Sequence, residues 1–217
     1  MSRKKKERFA AIKEMDNVYE MDVFGDDRFD KKFFKDDHPI ILELGCGKGD
    51  YVIEMAEKYP DKNFIGVDIK GDRMYIGAKQ ALERSLTNVA FIRTFVQFLN
   101  KHFDPNSISE IWITFPDPYP SDTKSRKRLT SPFFLDIYRT ILEDEGVLHF
   151  KTDDEDLYKF TMETLKEEGA IIDYYIENLY GQNSIRPELA IKTTYEKRHI
   201  ADGKKIKYIQ FRFQARK

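Results

Sequence analysis

Ile41-Leu42-Glu43-Leu44-Gly45-Cys46-Gly47-Lys48-Gly49-Asp50 reads as a strand that runs into a glycine turn. The apolar run begins at Pro39, carries one acid at Glu43, and then meets glycine at every second position. Tyr51-Val52-Ile53-Glu54-Met55-Ala56 follows with the composition of a helix start. Strand, tight turn and helix in this order place glycines where a ligand must come close to the backbone. The spacing is G-x-G-x-G. It is not the G-x-G-x-x-G of a dinucleotide site, which sets a dinucleotide oxidoreductase aside.

Outward from this stretch, strand-like and helix-like segments alternate. Strands are predicted over 40–44, 63–68, 89–93, 110–115, 146–151, 171–180 and 206–213. Helices are predicted over 50–59 (stopped by Pro60), 71–85, a short turn to about 101, 132–142 and 153–168. Met74, Ala78, Ala81 and Leu82 recur at helical spacing. Ser131 before Pro132 suits a helix start, and Gly169 suits a helix end. The pattern predicts an α/β, Rossmann-like, doubly wound fold: a mainly parallel seven-stranded sheet with helices on both faces. Residues 39–217 form its domain. Residues 1–38 mix aromatics (Phe9, Tyr19, Phe24, Phe29, Phe33, Phe34) with charge and no clean period, and read as a partly mobile extension.

At 217 residues the chain suffices for one α/β core, and 41% hydrophobic against 35% charged residues describes a globular protein. No apolar run reaches membrane-spanning length, and Met1-Ser2-Arg3-Lys4-Lys5-Lys6 has no apolar core behind it. The single Cys46 leaves no internal disulfide and no cysteine metal cluster. A cytoplasmic setting without metal is expected. The net charge is −1, yet basic residues cluster at Arg3–Arg8, at Lys124, Arg126, Lys127 and Arg128, and at Lys204, Lys205, Lys207, Arg212, Arg216 and Lys217. Such clusters read either as solvated charge or as a phosphate-binding face.

Ligands of such sheets bind beyond the carboxyl ends of the strands. Asp68 ends the second strand, and reads either as an acceptor for ribose hydroxyls or as a helix cap. Beside the glycine turn the ribose role is favoured. Glu43 would meet a ligand or order the turn. Phe115-Pro116-Asp117-Pro118-Tyr119-Pro120 ends the fourth strand. Proline fixes φ and removes donors, so this loop should hold Asp117 rigidly. Asp153 and the Thr193–Glu196 segment read, from spacing alone, as helix caps. His149 reads as a structural residue of an apolar strand, and Trp112 as core.

An acid two residues before the first glycine is the form seen in S-adenosylmethionine-dependent methyltransferases. Glu43-Leu44-Gly45-Cys46-Gly47-Lys48-Gly49, Gly66-Val67-Asp68-Ile69-Lys70, the proline-framed Asp117 with its basic tail, Lys151-Thr152-Asp153 and Thr193-Thr194-Tyr195-Glu196 together resemble the tRNA (guanine-N7)-methyltransferase family. The matches run in order from Ile40 towards the C-terminus. The resemblance implies S-adenosylmethionine held by Glu43, Gly45, Gly47, Gly49 and Asp68, with further contacts at Phe95 and Asp117. It implies Asp117 as the catalytic residue facing the guanine. It implies tRNA contacts at Ser121, Asp153, Thr193, Thr194, Tyr195 and Glu196, and a target guanine in the variable loop. No metal, membrane or obligate protein partner is implied. The chain departs from the family pattern at three positions. Phe95 stands where Asp or Asn is usual, Ser121 where lysine is common, and Tyr119 where tryptophan is common.

Guanine N7 carries a lone pair and no proton, so its methylation needs no base to create the nucleophile. It needs in-line approach and a site that tolerates positive charge. A chain without an evident nucleophile, metal cluster or acid–base histidine fits that demand. Two other readings share the fold: an RNA-binding protein with impaired catalysis, and a methyltransferase of another substrate.

Overall fold

The computed structural model describes residues 3–21 and 27–214. Met1, Ser2, Phe24, Arg216 and Lys217, named above, lie outside them. Contacts divide the chain into two compact units, 1–104 and 105–217.

The first unit contains α1 (Arg3–Ala11), β1 (Val18–Glu20), β2 (Ile40–Leu44), α2 (Asp50–Lys58), β3 (Asn63–Asp68), α3 (Gly71–Glu83), β4 (Val89–Arg93) and the short α4 (Leu99–His102). Its strands lie in the order β1-β4-β3-β2 and every pairing is parallel. All five residues of β2 are buried, as befits a parallel strand covered on both faces. Helix α2 buries Tyr51, Val52, Ile53, Met55 and Ala56. It stops at Lys58 because Tyr59, which precedes Pro60, leaves the helical region. Helix α3 stops two residues earlier than its period suggested. Ser85 turns left-handed there (φ +55), and the Ser85 and Leu86 N–H groups donate back to the Leu82 and Ala81 carbonyls.

The second unit contains β5 (Ile108–Thr114), α5 (Pro132–Ile141), β6 (Leu142–Thr152), α6 (Glu155–Glu167), β7 (Ile171–Ile176), α7 (Thr194–Ala201) and β8 (Lys207–Arg212). Its strands lie in the order β5-β6-β8-β7. β5 and β6 are parallel, while β8 runs antiparallel to both β6 and β7. Gly169 (φ +64) closes α6 with the same left-handed motif, as its position promised.

The α/β, Rossmann-like, mainly parallel class stands, with eight strands in place of seven. The added strand is β1, which pairs with β4 through Val18, Tyr19 and Glu20. Three residues are too few to display a period of two. Around it, the Tyr19 ring meets the Phe29 and Phe33 rings edge-on at 5.2 and 5.7 Å, and α1 packs against α3. Ser131 stands at the N-cap of α5 with Pro132 first in the helix, as the sequence suggested, but its hydroxyl donates to the Arg126 carbonyl and makes no capping bond. Helix α6 is capped by Asp154, whose carboxylate accepts from the Leu157 N–H at 2.7 Å, and not by Asp153. Among the described residues, no helix is long and apolar enough to cross a membrane, and no group of acids, histidines and cysteine has the makings of a metal site.

Candidate active site

In the first unit, the strand-ending acids and the glycine turn are tied into one structure. Gly45, Gly47 and Gly49 all adopt positive φ (+71, +57, +73), a region that strains any residue with a Cβ. The Gly45 and Cys46 N–H groups both donate to the Val67 carbonyl, at 2.8 and 3.1 Å. Asp68 accepts from the Gly47 N–H at 2.9 Å with one carboxylate oxygen, and from the Lys70 N–H at 2.8 Å with the other. It therefore clips the end of β3 to the middle of the glycine turn. Asp68 is half-buried, and an ionised carboxylate offers about four acceptor positions, so it retains capacity for ribose hydroxyls. Glu43 is buried and accepts from the Val52 N–H at 3.0 Å, in the first turn of α2. This bond ties the end of β2 to the start of α2.

The geometry suits an adenosyl cofactor. A Cβ built on Gly45 meets nothing within 4 Å, so the turn presents bare backbone to open space. Phe95 follows β4 and is 48% exposed, its ring edge-on to Phe98 at 6.2 Å. The preceding residue, Thr94, donates its N–H to the Asp68 carbonyl at 3.2 Å, which ties Phe95 to the same strand ends. Cys46 lies buried between the glycines. Burial, with the charges of Glu43 and Asp68, pushes its thiol well above the ordinary range, so it stays protonated space-filling.

A residue that sequence reading passed over is Gly77, inside α3. A Cβ there would lie 2.3 Å from the Lys48 carbonyl oxygen. The helix thus touches the glycine turn backbone to backbone. The available signal was a glycine in mid-helix, where it costs about 1 kcal/mol relative to alanine.

In the second unit, β5 and β6 run side by side with Thr114 opposite Lys151, so the segments that follow them leave from one rim. Asp117 follows β5 and is exposed. Phe115 (φ +50) and Tyr119 (φ +44) bracket it in the left-handed region. Neither is glycine, and such conformations cost about 1–3 kcal/mol each unless surrounding structure enforces them. The Phe115 N–H donates to the Lys151 carbonyl at 2.9 Å.

The residues after β6 and at the start of α7 meet near this loop. The Tyr195 ring is half exposed. It lies 5.7 Å from the Phe115 ring and 4.1 Å from the His199 ring. His199 Nδ1 is 3.1 Å from an Asp153 carboxylate oxygen, off the hydrogen-bonding direction. Lys204 donates to the same oxygen, and that bond raises the lysine pKa. Burial raises the Tyr195 phenol, with help from Asp153 and, to a smaller degree, Asp117. Thr193 caps α7 by accepting from the Glu196 N–H at 3.0 Å. Glu196 itself is fully buried. Its carboxylate pairs with Lys151 Nζ at 2.7 Å and accepts from the Tyr180 hydroxyl at 2.8 Å. Thr194 and Tyr195 are the exposed members of the segment. Ser121 is exposed, its hydroxyl 2.8 Å from that of Thr123.

The basic tail divides. Lys124, Arg126 and Lys127 are exposed, as a phosphate-binding role requires. Arg128 is 6% exposed and turned inward, so the reading of the whole tail as phosphate ligands fails for it.

A family model described as "Putative methyltransferase" matches residues 37–209. The chain is 46% identical to the tRNA (guanine-N(7)-)-methyltransferase of Christiangramia forsetii, over 92% of this chain and 88% of that one. It is 40% identical to the protein of the same name in Bacteroides fragilis, over 97% and 86%. The solved structure of the 16S rRNA methyltransferase KamB superposes with a TM-score of 0.63 over 83% of this chain and 90% of that one, at 13% identity, a likeness of fold alone. On these matches the chain belongs to the tRNA (guanine-N(7)-)-methyltransferase family.

Proposed function

We propose that this protein transfers a methyl group from S-adenosylmethionine to N7 of a guanine in tRNA, with the variable loop as target and the cytoplasm as setting. Support comes from relatives of that name along nearly the whole chain, and from a bare glycine turn clipped by a ribose-competent acid. The observation that carries the reading is an exposed carboxylate, Asp117, bracketed by two residues locked at positive φ. Strain of that kind collects where a group must be held for function.

S-adenosylmethionine, when bound, supplies an electrophilic methyl group on a sulfonium. Gly45 and Gly47 would admit it to the backbone, with Gly49 closing the turn against the Phe91 ring. Asp68 would accept from its ribose, and Phe95 would offer its exposed ring to the adenine in place of a side-chain hydrogen bond. Asp117 would accept from guanine N1–H and N2–H, fixing the purine so that N7 is presented. Its negative charge offsets the charge that develops on the ring. It removes no proton, because N7 has none to lose. A base must leave its stack to be reached, and Tyr195 has an exposed face to receive it. Glu196 would serve from inside, holding the turn that carries Thr193, Thr194 and Tyr195, while Asp153 and Ser121 would meet the RNA from the same unit.

Incubation of unmodified tRNA with methyl-labelled S-adenosylmethionine, followed by chain scission at 7-methylguanine, tests the assignment. Label at a variable-loop guanine is expected. Label on another base, or none, overturns it.

A further inference from the structure

We propose that Arg128 is a positioning residue that holds the Asp117 loop in its bent form, and is not a phosphate ligand like its basic neighbours. The proposal rests on the reading of Asp117 given above. Three prolines at 116, 118 and 120 remove every second N–H donor from the loop, which leaves its carbonyls short of local partners. Arg128 supplies the missing donors. Its Nε donates to the carbonyls of Pro118 at 3.1 Å and Tyr119 at 3.3 Å, and its Nη2 donates to Tyr119 at 3.1 Å. Both carbonyls lie immediately after Asp117, one of them on Tyr119, the residue with φ +44.

The arginine is itself anchored. Its guanidinium lies over the Phe160 ring of α6, 4.4 Å from the centroid. Its own N–H donates to the Ser125 carbonyl, and its carbonyl accepts from the Ser131 N–H, both at 2.9 Å. Next along the chain, the Leu129 carbonyl accepts from the Tyr138 hydroxyl of α5, and Thr130 meets Thr161 of α6 at 2.7 Å. The loop is thus held by a planar fork that rests on α6, and the residues that follow the arginine are tied to α5 and α6. A lysine has the charge but not the fork, so it cannot hold two successive carbonyls in the same way. Burial to 6% exposure separates Arg128 from Lys124, Arg126 and Lys127, which face solvent.

The test compares Arg128→Lys, Asp117→Asn and the double variant by single-turnover methyl transfer at saturating tRNA and cofactor. The salt dependence of tRNA binding is measured in parallel. Arg128→Lys is expected to slow transfer about 10- to 100-fold, the scale of a small misplacement of a reacting group, with tRNA affinity and its salt slope unchanged. The double variant is expected to be no slower than Asp117→Asn alone, because the arginine acts through the aspartate. A stability role alone would not produce that non-additivity. Should Arg128→Lys fail to fold, Phe160→Leu, which removes the ring beneath the guanidinium, is expected to slow transfer without altering the salt slope.

A shallower salt slope with an intact saturating rate would make Arg128 a phosphate ligand and overturn the proposal. Multiplicative loss in the double variant overturns it too. A slow Asp117→Asn beside an unaffected Arg128→Lys sinks the clamp and spares the Asp117 reading. An Asp117→Asn enzyme at the wild-type rate sinks both.

Discussion

Several side chains that the sequence marks as chemical are engaged in building their own surroundings. Asp68 clips the glycine turn, Glu43 orders the start of α2, and Glu196 neutralises a buried lysine. The glycine pattern and the proline-framed Asp117 were legible because spacing and φ restriction are local properties. The burial of Glu196 and Arg128 was not, because the partners of Glu196, Lys151 and Tyr180, are distant in sequence, and Arg128 is held by Phe160 and by carbonyls of a preceding loop. Gly77 belongs with them, since only the fold brings it against Lys48. Gly77→Ala would drive a methyl group into the Lys48 carbonyl and shift the turn. The expected cost is about 1–3 kcal/mol. Calorimetry with S-adenosylhomocysteine should show affinity weakened roughly tenfold or more, about 1.4 kcal/mol per tenfold, with tRNA binding unchanged. Undiminished cofactor affinity would mean that the contact is slack.

Most of the longer elements were legible from period, but α1 (Arg3–Ala11) and α7 (Thr194–Ala201) were not anticipated, and β6 begins at Leu142, four residues before its period suggested. β1, at three residues, was invisible, and β7 ends at Ile176 because the chain turns towards a short 3₁₀ segment at Leu179–Gly181. Two couplings between elements invite measurement. The first joins β6 to α7 through the fully buried Lys151–Glu196 pair. Glu196→Gln leaves the lysine charge without its counter-ion, and denaturant unfolding should register a loss of about 3–5 kcal/mol. A loss below 1 kcal/mol would show the lysine reaching water. The second joins β5 to β6, where Trp112, the only tryptophan, stacks on His149 at 3.8 Å and 8°. Burial holds the His149 pKa below its ordinary 6.5, against the opposing pull of Glu110, while Arg186 lowers and Glu188 raises it. The neutral imidazole is the folded form, and its Nδ1 lies 2.8 Å from the Tyr208 hydroxyl. The unfolded chain therefore takes up the proton first. Stability is full above pH 6.5 and declines as pH falls towards the depressed folded value. Trp112 fluorescence should titrate with a midpoint below 6.5, and His149→Gln should abolish that step. A midpoint at or above 6.5 would contradict the burial argument.

At the scale of the molecule, a net charge of −1 conceals basic clusters, and only their local exposure bears on RNA. Lys124, Arg126 and Lys127 face solvent in one short segment. Replacing all three by alanine should weaken tRNA binding and lower the slope of log affinity against log salt by up to about three times 0.7–0.9, the contribution of three phosphate contacts. An unchanged slope would remove this segment from the RNA interface. The central claim, however, is the role of one carboxylate. It is tested most directly by single-turnover methyl transfer to tRNA with Asp117→Asn, which keeps the shape of the side chain and discards its charge. The account predicts a rate lower by about 10²–10³-fold, equivalent to roughly 3–4 kcal/mol of transition-state stabilisation, with S-adenosylmethionine affinity little changed. A variant that turns over at the wild-type rate would contradict it.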